Sequence, residues 1–175
     1  MNAKEKTIRD VYTGEVYAGG RDTILRSNAI ASCVVIVAYD KEKMLGALAH
    51  VMVPGVAPAG KTIQRTRYAA NAIEELLNRM AELGASCDEI EVCIAGGGNV
   101  LKREDDSICQ ENIDSVTSIL NERGIPITAE DVGGTLRRTV SLDVETGRVY
   151  VAVGDGIETL FWSAKTDQGM KEEEQ

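Results

Sequence analysis

The sequence predicts an α+β protein of layered, largely antiparallel or mixed sheets: strand signals are many and adjacent, and only two segments carry a sustained helical period. The strands fall at residues 14–18, 23–27, 33–39, 45–53, 91–95, 127–131, 139–143, 148–153 and 159–162. Val34-Val35-Ile36-Val37 is a continuous β-branched run, which suits a strand buried on both faces. Asp40-Lys41-Glu42-Lys43 turns that strand into the next, and residues 143–148 do the same for a later pair, so several neighbours form hairpins. One helix is expected over 66–83, where Ala69, Ile73, Leu76, Leu77 and Met80 recur at helical spacing and Gly84 stops the run. A second is expected over about 110–123, with Ile113, Val116, Ile119 and Leu120 on one face and Gly124 and Pro126 closing it. Both helices should lie against a sheet. The regular strand–helix alternation of a doubly wound nucleotide fold is missing.

Composition narrows the function. The 175 residues suggest one domain over 1–164, followed by a solvated acidic tail over 165–175 that ends Lys171-Glu172-Glu173-Glu174-Gln175. A net charge of −9 argues against nucleic acid, whose affinity comes from clustered Lys and Arg. No apolar run approaches the roughly 18 residues of a membrane span, and the N-terminus lacks a signal-peptide core, so a cytoplasmic protein without membrane insertion is expected.

Cys33, Cys87, Cys93 and Cys109 include no C-x-x-C pair and read as free thiols. His50 is the only imidazole, so a closed zinc site is not expected. Any imidazole chemistry must use this side chain. A hairpin turning near Glu42 pairs residues whose numbers sum to about 83 or 84, placing His50 opposite roughly Cys33 or Val34. Opposed side chains of this kind lie about 4.5–5.5 Å apart at Cβ, close enough for an imidazolium to stabilise a thiolate. The plain alternative is a small core cysteine and a satisfied interior histidine. Cys93 reads as a buried strand thiol, Cys87 follows a helix stop, and Cys109 begins a helix. Gly96-Gly97-Gly98 lacks the Lys-Ser/Thr of a P-loop and reads as a tight turn or close backbone approach. Arg137-Arg138 reads as a solvated face.

Taken in order, Gly14-Glu15, Ala31-Ser32-Cys33-Val34, Tyr39-Asp40, the segment 46–54, Ile94-Ala95-Gly96-Gly97, Gly124-Ile125-Pro126-Ile127, the segment 129–134 and Glu145-Thr146-Gly147 resemble the CheD family of chemoreceptor glutamine deamidases. The resemblance implies an α/β/β sandwich like that of the cytotoxic necrotizing factor toxins, with a Cys-His site assisted by a threonine hydroxyl. Cys33 then stands as the nucleophile, His50 as its partner, and Ser27 where the family has threonine. The chain departs from the family at Ala29-Ile30-Ala31, which replaces Gly-Leu-Gly, and at Cys109-Gln110-Glu111-Asn112, which replaces Gly-x-Arg-Asn.

The expected reaction is hydrolysis of a protein glutamine amide through an acyl-thioester, with backbone N–H groups near Ser32 and Cys33 receiving the oxyanion and no cofactor required. The implied substrate is the cytoplasmic helical hairpin of a methyl-accepting chemotaxis receptor, with a CheC-type phosphatase as a further partner. Receptor methyl esters suit the same acyl-enzyme logic. Two other readings are a non-enzymatic adaptor that binds and regulates such a phosphatase, and nucleotide binding by the glycine turns.

Overall fold

The computed structural model describes residues 4–164; the tail expected over 165–175 lies outside them. Two five-stranded sheets stack face to face. The first has the order β1 (Thr7–Asp10), β3 (Thr23–Ile30), β8 (Arg138–Asp143), β9 (Arg148–Val153) and β10 (Thr159–Ser163). The second runs β2 (Val16–Gly19), β5 (Leu45–Val51), β4 (Val34–Asp40), β6 (Ile90–Gly96) and β7 (Ile127–Val132). Pairing is antiparallel except for β1 with β3 and β6 with β7. Helices α1 (Ala69–Glu82) and α2 (Ile108–Glu122) cover the outer face of the second sheet. The expected α+β sandwich with two main helices on one side is therefore present.

Alternation along the strands builds two cores. Val34, Ile36 and Ala38 of β4 face the helices and meet Ala72, Ile73, Leu76, Val116 and Leu120. Val35, Val37 and Tyr39 face the other sheet and pack on Leu25, Val140, Leu142 and Val149. Every residue of β4 is buried, as its unbroken apolar run requires.

Four features depart from the sequence expectations. First, β1 was not foreseen: Thr-Ile-Arg-Asp has no apolar alternation and is largely exposed, and it becomes a strand through parallel pairing with β3. Second, the β4–β5 register pairs Val34 with Val51 and Val35 with His50, one to two residues away from the expected pairing. The turn runs later because Asp40 stays in the strand and its carboxylate accepts from the N–H groups of Glu42 and Lys43 at 3.0 and 3.2 Å, while Met44 takes a positive φ of 50°. Third, α1 begins at Ala69, after a 3-10 turn over Arg65–Arg67. Fourth, Arg138 is no part of a solvated face. It is buried and reaches between the sheets to the Gly96 carbonyl and the Asp131 carboxylate, each at 3.2 Å. Arg137 is exposed and pairs with Asp155.

The end of β3 is bulged. Ser27 pairs with Val140 and Ile30 with Arg138, so β3 holds one extra residue there, and exposed Ala29 adopts φ of 54°. A left-handed alanine costs about 1–2 kcal/mol, against about 0.5–1 kcal/mol for the extra chain entropy of glycine. Ala29→Gly is expected to raise the melting temperature by a few degrees, which a thermal denaturation curve will check.

Candidate active site

The bulge delivers the chain into Ala31-Ser32-Cys33, directly ahead of β4. This short connection is stitched to the glycine turn after β6: Gly97 N–H donates to the Cys33 carbonyl and Gly98 N–H to the Ala31 carbonyl, both at 2.7 Å. The turn is glycine because the backbones touch. A Cβ on Gly96, whose φ is 121°, would sit 2.3 Å from the Cys33 carbonyl oxygen, and one on Gly97 would meet Ile113 of α2 at 2.6 Å. The turn is thus a close backbone approach, as expected, and these two N–H groups are already engaged.

Ser27 and His50 meet across the sandwich. Ser27 projects inward from β3 of the first sheet and His50 from β5 of the second, and both are buried. Ser27 Oγ lies 3.2 Å from His50 Nδ1 and donates to the Val11 carbonyl, which itself lies 3.4 Å from Nδ1. A hydroxyl has one proton to donate. With that proton on Val11 O, the Ser27 oxygen accepts from Nδ1–H, and the imidazole is left with an unprotonated Nε2. Ser27 therefore selects the tautomer that can accept a proton at Nε2. Val11 was not singled out in the sequence. It follows β1, the unforeseen strand, and its N–H is bound to the Arg26 carbonyl at 2.7 Å.

Cys33 is half-buried and packs on the core between the sheets, the same side of the second sheet as His50. Since His50 pairs with Val35, Cys33 is its diagonal neighbour rather than its direct partner. Such diagonals are about 7–8 Å apart along the backbone, within reach of a long or aromatic side chain. Ser32 lines a cavity of about 170 Å³ beside the Cys33 connection, with Ala31, Gly98, Leu101, Arg103 and Asp106 among the other walls. A larger open depression of about 550 Å³, bordered by Lys6, Arg21 and Glu145, includes none of these site residues.

Burial acts on both candidate groups. It pushes the Cys33 thiol up, against a smaller downward pull from its own backbone N–H. It holds the His50 imidazole below its ordinary value, opposed by the Val11 carbonyl and the charge of Glu15. Both shifts favour the neutral thiol and neutral imidazole at rest. The other buried thiols are shifted further: burial raises Cys93 far more, and burial together with Asp106 raises Cys109 to about 11. Among the described residues no cluster of His, Cys, Asp and Glu is arranged to hold a metal ion, and no helix is long and apolar enough to cross a membrane.

A pH dependence of stability follows from His50. Its folded pKa lies below its unfolded value of 6.5, so the contribution is complete above pH 6.5 and is lost as pH falls from there toward the folded pKa. Denaturation midpoints are expected to drop across that window in the native protein and to drop less in His50→Gln.

Asn112 keeps the asparagine of the family's Gly-x-Arg-Asn. It is fully buried, and its Nδ2 donates to the carbonyls of Ser32 at 2.9 Å and Met52 at 3.1 Å. An isolated asparagine on an amphipathic helix carries no sequence signal for such a contact.

Residues 52–153, more than half the chain, match the family described as CheD chemotactic sensory transduction. A protein of Chlorobium luteolum named probable chemoreceptor glutamine deamidase CheD is 40% identical over 151 residues, which cover 86% of this chain and 75% of that one. The chain belongs to the CheD family. Among further CheD relatives, the chemoreceptor glutamine deamidase CheD of Thermotoga maritima is 34% identical over 131 residues, covering 75% of this chain and 82% of that protein. A probable chemoreceptor glutamine deamidase CheD of Methanococcus maripaludis is 36% identical over 133 residues, covering 75% and 86%. The segment matched to the CheD family as a whole begins after Ser27, Cys33 and His50, whereas the match to the Chlorobium luteolum protein is long enough to include all three.

Proposed function

We propose that this CheD-family chain is a cysteine-dependent deamidase that converts glutamines on the cytoplasmic helices of chemotaxis receptors to glutamates. The observation that carries the chemistry is the His50 ring, pinned at Nδ1 by Ser27 and Val11 on the same side of the sheet as half-buried Cys33. The substrate comes from the relatives, whose names state that activity.

The neutral resting pair sets the order of events. Nε2 of His50 takes the thiol proton as Sγ bonds to the carboxamide carbon, so the thiolate forms only as it is used. The carbonyl electron pair moves onto oxygen, where the backbone N–H groups of Ser32 and Cys33 stabilise it. Collapse restores the carbonyl and expels ammonia, which leaves with the proton held by His50. Water then gives a proton to Nε2 and adds to the thioester. The C–S bond breaks, the sulfur recovers its proton, and the side chain departs as a glutamate.

The test is incubation with a receptor cytoplasmic fragment, followed by mass spectrometry of its glutamines. Conversion to glutamate is expected, and it should stop once iodoacetamide has labelled Cys33, as verified by peptide mapping. Undiminished conversion by the labelled protein would sink the reading.

The burial that raises the Cys33 thiol favours one other reading: a non-enzymatic adaptor that engages a CheC-type phosphatase. In that case Cys33 alkylation follows the pH dependence of an unassisted buried thiol and is unaffected by His50→Gln. In the deamidase, His50→Gln slows alkylation at neutral pH.

A further inference from the structure

Asn112 occupies the second turn of α2 without contributing to the apolar packing around it, and its amide nitrogen serves two carbonyls that belong to the site. Ser32 is bonded to Cys33. Met52 lies two residues beyond His50, and one further step of the register that pairs Val34 with Val51 brings it opposite Cys33. The Met52 N–H has already turned away to the Arg67 carbonyl at 2.9 Å. The Asn112 amide therefore bridges the nucleophile connection and the histidine strand where the backbone ladder ends.

Its orientation is forced. Two carbonyl oxygens at 2.9 and 3.1 Å from one terminal atom require that atom to be the NH2 group, since the flipped amide would bring three oxygens together. The arrangement has a cost: Oδ1 is buried with no hydrogen-bond partner among the described residues, an exception that native proteins seldom retain without a use. The use lies in the peptide unit. The Ser32 carbonyl and the Cys33 N–H share one planar trans peptide and point in opposite directions. Holding the carbonyl fixes where the N–H is aimed, and hydrogen bonding to the carbonyl polarises the same unit.

We infer that Asn112 is a positioning residue that aims the Cys33 N–H at the developing oxyanion. This rests on the deamidase reading above. The test compares Asn112→Ala and the isosteric Asn112→Asp with the native protein in three measurements: receptor-fragment deamidation, Cys33 alkylation by iodoacetamide, and thermal denaturation. Alkylation displaces iodide and develops no oxyanion, so it separates aiming from general disruption. Asn112→Ala is expected to lower kcat by about 10–100-fold, less than the loss typical of an oxyanion donor itself, with KM within about threefold and alkylation nearly unchanged. Asn112→Asp should be equally impaired at pH 8. It should recover part of its kcat as pH falls, because a protonated carboxyl donates one hydrogen bond where a carboxylate donates none.

Native kcat in Asn112→Ala would overturn the inference, as would a parallel loss of deamidation and alkylation. Should Asn112→Ala fail to give a cooperative melt, the pH profile of Asn112→Asp decides alone, and a flat profile counts against the role. Turnover retained by Cys33→Ala would instead remove the cysteine-dependent mechanism on which the inference rests, whatever the Asn112 variants do.

Discussion

Cys33→Ala is expected to leave receptor glutamines unmodified, with deamidation at least about 10³-fold below the native rate and an unchanged fold. The remaining thiols do not substitute. Cys93 is sealed in the inter-sheet core, Cys109 is raised to about 11, and Cys87 is exposed on a 3-10 turn after α1. His50→Gln should cost about 10²–10⁴-fold, the range of a general acid–base group, because glutamine accepts no proton at the Nε2 position. The two losses act on one event, so the double variant should be scarcely worse than Cys33→Ala. Mass spectrometry of a receptor fragment treated with each of the three variants checks this, and additive losses would mean that Cys33 and His50 work in separate steps.

Gly96→Ala should have the largest effect on stability. The new Cβ would lie 2.3 Å from the Cys33 carbonyl oxygen, a backbone atom, and the position demands a φ of 121°. Overpacking of this kind costs about 1–3 kcal/mol, and a disfavoured backbone conformation costs about 1–3 kcal/mol more. The midpoint should fall by about 5–15 °C. Relief of the clash moves the Cys33 carbonyl away from Gly97 N–H, so the folded fraction should also lose turnover. Denaturation curves and active-site titration of the surviving folded protein separate the two effects.

The layered α+β architecture was legible because it follows from local pattern. The β-branched run of β4 announces a strand buried on both faces. The spacing of Ile73, Leu76, Leu77 and Met80 announces a helix with one apolar side. The candidate nucleophile and imidazole were legible for a different reason: with one histidine in the chain, few pairings exist. Ser27, by contrast, was reached only through the family resemblance, since no local pattern links it to residue 50. β1 was illegible because its polar, exposed residues become a strand only by pairing with β3. The β4–β5 register differs from the one the sequence predicts because the Asp40 carboxylate caps the turn and delays it. Arg138 reads as solvated in the sequence because its partners, the Gly96 carbonyl and the Asp131 carboxylate, belong to the other sheet.

By itself the sequence determined the helices and most of the strands and marked Cys33 and His50 as candidates, all of which depends on side-chain type and short-range spacing. Only the tertiary structure decided the hydrogen-bond partners of His50, the close approach of Gly96 to Cys33 and the bridge made by Asn112. These depend on contacts between segments far apart in the chain: Val11, Ser27 and His50 come from three different segments, and Asn112 reaches 80 residues back to Ser32. Local patterning carries no record of such distances, because the energy that selects them is gained only when the two sheets and the helix layer close on one another.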